Sequence, residues 1–578
     1  MTSVEPVDTA NWRRAVGATG LLAAFNDAAV IDAADVLVAQ RLSAMAEEAD
    51  ERVHLAVALV VRGLRAGSVC LDLRSVEAQV DDADLPWPAI GDWLDAVWAS
   101  PLLEPPHVLR RQEHLLYLDR YWREELQVAE DLLTMVSRNA VEPAADIERL
   151  FPAGYEEQRG AAKIALSQRV TVLTGGPGTG KTTTVARLLA LFAGQPGSGS
   201  RLRIALAAPT GKAAARLQEA VQLEIDKLEL VDQRRLSGLQ ATTLHRLLGG
   251  RPDSSSRFRH HRGNRLPHDV IVVDETSMVS LTMMARLLEA VRLQSRLLLV
   301  GDPDQLASVD AGAVLADLVD GLGAGVGSPV VALQTSHRFG ESIGALASAI
   351  RDGDADAALA VLSAGGEHIE WIDDEDPTVA LRKVLLPQAL ALRQAAILGD
   401  AKTALAILDE HRLLCAHRRG PHGVQHWNRQ VERWLTESTG EPIWSDWYVG
   451  RPVLVTANDY GLGLYNGDTG VTVADPDGLR AAIAGAAEPR AFATSRLPDL
   501  ETMYAMTIHK SQGSQATEVT VLMPPVDSRL LSRELFYTAV TRAKAKVRVV
   551  GSTDEIRSAI GKRAVRATGL ALRLSAPS

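Results

Sequence analysis

Val170-Thr171-Val172-Leu173-Thr174-Gly175-Gly176-Pro177-Gly178-Thr179-Gly180-Lys181-Thr182-Thr183 is the stretch on which the fold turns. It starts as an apolar, β-branched run, passes through four glycines in six residues, and ends on Lys-Thr at the start of a predicted helix. A strand, a glycine-rich turn and a helix in that order match the G-x-x-x-x-G-K-[ST] phosphate loop. Glycines allow backbone N–H groups to curl around phosphate oxygens, and the helix N-terminus adds positive potential. Lys181 supplies a compact cation to the β and γ phosphates, and the Thr182 hydroxyl suits Mg²⁺.

The flanking sequence repeats the strand–helix alternation. Ile204 to Ala207, Val270 to Val273 and Leu297 to Val300 are continuous apolar runs, as expected of buried parallel strands, so the region is α/β. Asp274-Glu275 ends one run, where a Mg²⁺ ligand (Asp274) and a base for the attacking water (Glu275) belong. Gly301-Asp302-Pro303-Asp304-Gln305 ends the next, and the Gln305 amide is suited to sensing the γ-phosphate and that water. From about Thr335 a second α/β region is expected, with strands at Arg412 to Ala416, Val519 to Leu522 and Val547 to Val550. Between Gly450 and Arg496, two apolar runs flank Asn466-Gly467-Asp468, the signature of a small β insertion.

The first 140 or so residues have helical periodicity. Val53, Ala56, Val57, Val60, Val61 and Leu64 form one stripe, and Leu115, Leu118, Trp122, Leu126, Ala129 and Leu133 predict a second long helix. Trp87, Trp93, Trp98 and Trp122 cluster here, which marks a candidate contact surface. Gly194 to Ser200 and the Arg/His-rich Ser254 to Asn264 read as surface loops.

The chain has 578 residues, 46% of them hydrophobic and 23% charged, and a net charge of −11. This composition excludes wholesale disorder, and the negative balance restricts any nucleic-acid binding to a local groove. Two distant cysteines, Cys70 and Cys415, exclude a disulfide framework, a zinc module or an iron–sulfur cluster built from this chain alone. The acidic opening Met1 to Pro6 and the lack of a long apolar run predict a soluble, cytoplasmic protein with no membrane association. Lysine is rare, 10 against 51 arginines, yet Lys181, Lys212, Lys510, Lys544 and Lys546 all fall in or beside the motifs named here and below. Those positions retain a compact ammonium against the bias of the chain.

From Gln158 to Lys544 the chain resembles superfamily 1 helicases, with the motifs in the family's order. Gln158 matches the adenine-reading glutamine, and Thr174 to Thr182 the phosphate loop. Ala208-Pro209-Thr210-Gly211-Lys212 and Thr243-Leu244-His245 match motifs Ia and Ib. His337-Arg338-Phe339 matches motif IV, Thr507 to Ser514 motif V, and Tyr537 to Lys544 motif VI. Within the superfamily, Leu64 to Leu73, Phe258 to Asn264 and Leu306-Ala307-Ser308-Val309 resemble the RecD family, the 5′→3′ motor subunits of RecBCD (exonuclease V) enzymes. Gln515 departs from the Glu that usually ends motif V.

The resemblance implies two RecA-like P-loop NTPase domains, preceded by a small helical domain, with a small SH3-like β insertion in the second. The expected division is an interaction domain over 1–120, domain 1A over 121–335 and domain 2A over 336–578, with the insertion at about 447–500. Nucleotide contacts are expected from Gln158, Gly175, Gly176, Pro177, Gly178, Thr179, Gly180, Lys181, Thr182 and Thr183, and Mg²⁺ contacts from Thr182 and Asp274. Lys181, Asp274, Glu275, Gln305, Arg338 and Arg542 are the expected catalytic set, the two arginines acting from the second domain. Thr210, Lys212, Thr243, His245, Thr507, His509, Lys510 and Ser511 are expected along single-stranded DNA, with Phe339 and Tyr504 as candidate stacking rings. The partners implied are RecB and RecC, in a heterotrimer acting on duplex DNA ends, with any nuclease on a partner chain. A chain beginning near Asn139 is expected to keep its ATPase and lose the partners. The alternatives are a stand-alone RecD-like helicase or a mainly regulatory subunit.

Overall fold

The computed structural model describes residues 13–80, 84–137, 147–195, 202–251, 254–325, 327–335, 341–374, 376–459, 461–485 and 488–575. Its centre is a six-stranded parallel sheet in the order Val330–Leu333, Val170–Gly175, Arg296–Gly301, Val270–Val273, Ile204–Ala208, Ala241–Thr243. The apolar runs form its inner strands because helices cover both faces. Val170, Val172, Ile271, Val273, Leu297 and Leu299 join one core, and Leu173, Val270, Val272, Leu298 and Val300 the other. The register pairs Gly301 with Thr174 and Leu299 with Val273, so the phosphate loop, Asp274 and Asp302 share one edge.

A second parallel sheet has five strands in the order Ile369–Ile372, Ala543–Val550, Ala516–Leu522, His411–Cys415, Ala505–Thr507. Between its second and third strands in chain order, Pro452–Val455, Thr469–Asp475, Gly478–Ile483, Arg490–Ala493 and Leu500–Thr502 form the insertion, an antiparallel sheet with its own small core. Its ladder is open, with Arg490–Ala493 and Leu500–Thr502 at the two edges.

The N-terminal region differs from the expected all-helical unit. Helices Gly20–Asp27, Ala33–Met45, Glu51–Arg65 and Ile90–Trp98 pack around one core, beside a three-stranded antiparallel sheet of Leu71–Asp72, Leu115–Leu118 and Leu109–Gln112. The stripe beginning at Leu115 is therefore not one helix: Leu115–Leu118 is a strand, and the helix runs Asp119–Val136. Period two explains the switch. Leu116 points into the N-terminal core, whereas Leu115 and Tyr117 point into the core shared with the first parallel sheet. Asp119 then starts the helix, where a carboxylate is favoured, and accepts from Arg110 at 2.7 Å.

The tryptophans also belong inside this unit. Trp93 is buried and donates to Arg52 O, Trp87 packs edge-on to Phe25, and the Trp98 and Trp122 faces carry Arg111 and Arg110. Trp93 is thus a core residue, while Trp87, Trp98 and Trp122 are half-buried and pack on the unit's own side chains. Helix Asp119–Val136 supplies Val128, Leu132 and Met135 to the core under the first sheet. A chain beginning near Asn139, itself outside the described residues, would lack that helix and expose the core, which corrects the expectation that such a truncation leaves the motor intact.

The C-terminus returns to the first domain as a strap. After helix Thr553–Gly561 on the second sheet, Arg566 donates to the carbonyls of Ser308 (2.5 Å), Gly312 (3.2 Å) and Asp310 (3.3 Å). Val69 and Cys70 donate their N–H groups to Ala567 O. Buried Glu125 accepts from Tyr117 Oη, Thr568 Oγ1, Gly569 N and Arg573 Nε, and Leu570 and Leu574 enter the first domain's core. Gly67, at φ +91°, lies where a Cβ would stand 2.7 Å from the Arg566 guanidinium carbon.

The Ser254 to Asn264 stretch is only partly a loop: Ser254–Phe258 pairs antiparallel with Gly250–Arg251. Arg262 there, and Arg265 just after it, bond to Asp131 and Val291 O, so they are tied to the chain's own surface. Gly194 and Gln195 end the described part of the other expected loop, and 196–200 lie outside it.

Candidate nucleotide and DNA site

The phosphate loop follows strand Val170–Gly175 and caps helix Lys181–Ala193. Backbone crowding requires its first glycine: a Cβ on Gly175 would lie 2.6 Å from Leu333 O and equally near Thr179 Oγ1. Lys181 Nζ donates to Gly175 O (2.5 Å) and Gly176 O (2.9 Å), which holds the ammonium over the loop. Gln158 is buried, its amide nitrogen 3.5 Å from where a Cβ on Gly180 would lie. Thr182 and Thr183 are half-buried on the first helical turn, and Pro177 and Gly178 lie at the loop's crest.

Strand Val270–Val273 delivers Asp274, whose N–H donates to Ala207 O. Glu275 takes φ +51°, a left-handed conformation uncommon for a non-glycine residue and found at strained functional positions. Burial and the adjacent Glu275 push the Asp274 carboxyl above the ordinary carboxylate range, against the pull of Lys181 and Arg216. A cation would relieve that tension. Thr182 and Asp274 are hard oxygen donors of the kind Mg²⁺ takes.

Across the cleft the two domains are bonded through Gln305. Its Nε2 donates to Asp302 Oδ2 (3.0 Å), and its Oε1 accepts from Arg542 Nη2 (2.8 Å). Arg542 is buried and also donates to Thr538 O (3.1 Å) and Ser514 O (3.4 Å). Tyr537 Oη donates to Asp302 Oδ2 at 3.1 Å and lies 3.1 Å from the place of a Gly176 Cβ, which sets it over the phosphate loop. Leu306 N donates to Thr538 Oγ1, and Gln512 Nε2 donates to Leu306 O. Arg338, with the rest of motif IV including Phe339, lies outside the described residues.

The residues expected along DNA stand at carboxyl ends of strands in both sheets, and three share one local job. Thr210, Thr243 and Thr507 are N-caps, each hydroxyl accepting a backbone N–H three residues on: Ala213, Arg246 and Lys510. His245 is exposed and packs near Phe258, and Lys510 is half-buried. Other members are less accessible than expected. Ser511 is buried, its hydroxyl given to Ile508 O, and Thr507 is buried. Lys212 is half-buried where the insertion approaches; burial and Arg412 push its ammonium down to about 7, and a Cβ on neighbouring Gly211 would meet Tyr465 at 2.4 Å. His509 is half-buried, and burial together with Arg566 lowers its pKa. Tyr504 packs between two cores, with Tyr448 Oη donating to its hydroxyl, so it is no stacking platform.

Several site residues escaped the sequence reading. Asp302, Tyr537 and Gln512 lie within the quoted motifs but were not singled out. Arg216 had a legible signal: it stands four residues after Lys212 on the same helix face. Its guanidinium donates to Gly513 O (2.6 Å) and to Gln515 Oε1 (3.0 Å), which gives the unusual motif V glutamine a partner across the cleft.

A phosphate loop in one parallel-sheet domain, closed by an arginine and a tyrosine from a second such domain, is the arrangement of a two-domain, ATP-driven motor, the class to which helicases belong. Family descriptions agree: an AAA domain matches residues 154–374, a UvrD-like helicase C-terminal domain 502–550, and the N-terminal domain of RecBCD enzyme subunit RecD 27–119. The RecBCD enzyme subunit RecD of Mycolicibacterium smegmatis is 72% identical, over 96% of this chain and 99% of that one. That of Mycobacterium tuberculosis is 65% identical over 97% and 98%, and that of Haemophilus influenzae 32% identical over 79% of each. The chain belongs to the RecD family and is an ATP-dependent helicase subunit. Among the described residues no helix is long and apolar enough to cross a membrane.

Proposed function

We propose that this chain is the 5′→3′ single-stranded DNA motor of a RecBCD-type complex, acting in the cytoplasm with RecB and RecC on duplex DNA ends during recombinational repair. The observation that carries the reading is the bonded path from Asp302 through Gln305 to Arg542, which joins the nucleotide edge of one domain to the DNA-facing motifs of the other. ATP sits between the domains. Gly175 to Gly180 present N–H groups to its phosphates, Lys181 neutralises their charge, and Gln158 meets the adenine edge. Thr182 and Asp274 would hold Mg²⁺, which would supply charge neutralisation to the phosphates during transfer. Glu275 takes the proton of the attacking water, and Gln305 orients that water. Arg542, with Arg338 assigned the same part, stabilises the transferring phosphoryl group. Hydrolysis weakens the Gln305–Arg542 link, and the domains part by a step along the strand.

DNA lies over the strand ends marked by Thr210, Lys212, Thr243, His245, Thr507, His509, Lys510 and Ser511, contacted through phosphate and sugar. Sequence preference is then small and salt dependence steep. The N-terminal unit carries the partners. The test is a strand-displacement assay of the full chain on 5′- and 3′-tailed duplexes with ATP. Unwinding of the 5′-tailed substrate alone is expected, and activity only on the 3′-tailed one refutes the polarity.

A further inference from the structure

Beside motif V, at the junction of the second ATPase domain with the insertion, lies a pocket of about 430 Å³. Its rim carries Arg418, Arg429 and Lys510, and its floor includes Leu454 and Met506. Arg451 adds a fourth cation to the lining, against the carboxylates Glu432, Asp446 and Glu501; Glu432 accepts from Tyr448 Oη, and Glu501 is the one that bridges two of the cations. Glu501 Oε2 accepts from Lys510 Nζ at 2.7 Å, and Glu501 Oε1 accepts from Arg418 Nη2 at 2.6 Å. The partners come from different units. Glu501 is on the insertion strand Leu500–Thr502, Arg418 follows strand His411–Cys415, and Lys510 is on the turn Ile508–Ser511 after strand Ala505–Thr507.

A carboxylate held by one cation on each oxygen has the charge and two-oxygen geometry of a phosphodiester. We propose that this pocket is a nucleotide subsite of the DNA track, in which one backbone phosphate replaces the Glu501 carboxylate between Lys510 and Arg418 and the attached base lies over the apolar floor. The proposal rests on the DNA reading given above and extends it to Arg418, Arg429 and Glu501. The ion pairs are partly exposed, with side-chain exposures of 39% for Glu501, 65% for Arg418 and 26% for Lys510, so the exchange is an easy one. Displacement of Glu501 breaks two contacts between insertion and domain, while Asn428 Nδ2 still donates to Thr502 O at 2.7 Å and holds the insertion strand in place.

The test measures anisotropy of a labelled oligothymidine on the full-length chain over a series of salt concentrations. Glu501→Gln keeps the shape and removes the competing charge, and is expected to bind several-fold more tightly at low salt. Arg418→Ala, a change at an exposed side chain, is expected to bind more weakly, with the slope of log K against log salt reduced by about 0.7. If Glu501→Gln binds no more tightly and Arg418→Ala leaves affinity and slope unchanged while Lys510→Ala weakens binding, the subsite is refuted and the groove stands. If Lys510→Ala also changes nothing, the groove reading falls with it.

Discussion

Replacing Arg542 separates two roles that the structure gives to one side chain. Arg542 is a latch, bonded to Gln305 across the cleft, and it is assigned as the arginine that stabilises the transition state. Tyr537→Phe provides the scale for a latch alone, since it removes only the 3.1 Å bond to buried Asp302. A hydrogen bond to a charged group contributes about 1.5–3 kcal/mol. At about 1.4 kcal/mol per factor of ten, Tyr537→Phe should therefore lower DNA-stimulated kcat/KM for ATP by about 10- to 150-fold. Arg542→Ala loses its latch bonds and the transition-state charge together. The second loss alone is about 10³-fold in kcat or more, or about 4 kcal/mol. Arg542→Lys restores charge without the planar fork that reaches Gln305, Thr538 and Ser514 together, so it should recover only part of the rate. The assay is steady-state phosphate release with saturating oligothymidine, with DNA affinity measured in parallel and expected to hold. If kcat of Arg542→Ala falls no further than that of Tyr537→Phe, the arginine only latches the domains and its catalytic assignment is wrong.

Lys181→Ala should abolish DNA-stimulated ATP hydrolysis while leaving oligothymidine binding intact; retention of more than a few per cent of the rate would contradict its place over the loop. Gly67→Ala forces a Cβ into the Arg566 guanidinium at φ +91° and should destabilise the chain by about 1–3 kcal/mol, read as a lower calorimetric Tm, whereas an unchanged Tm would mean that the strap is not held there. His411 is buried, its Nε2 paired with Thr520 Oγ1, and burial beside Arg548 and Arg412 pulls its pKa down to about 3. Its unfolded value is higher, about 6.5, so the unfolded state takes up the proton first, and stability present above that pH is lost as pH falls toward 3. Urea midpoints should fall between pH 6.5 and 5 in the wild type and less in His411→Gln; equal slopes would remove His411 as the cause.

Much of this protein is set by local sequence. Buried parallel strands need apolar side chains on both faces, so Val170–Gly175, Val270–Val273 and Arg296–Gly301 announce themselves as runs. Phosphate binding needs glycine, lysine and a hydroxyl at fixed offsets, so the nucleotide loop is legible for the same reason. What adjacency in sequence cannot carry was decided by tertiary structure. Leu115–Leu118 fits a helical stripe until two separate cores claim alternate side chains and make it a strand. The four tryptophans cluster in sequence, yet packing beside Phe25, Arg52, Arg110 and Arg111 buries Trp93 and leaves the other three half-buried. The strap from Arg566 to Ser575 meets Gly67, Glu125 and Ser308 only because the chain's end folds back across the first domain. Arg216 with Gln515, and Glu501 between Lys510 and Arg418, are pairs across domain boundaries. Periodicity reports which face of an element is buried; only the packed chain decides what that face is buried against, and the partnerships of charge follow from that packing.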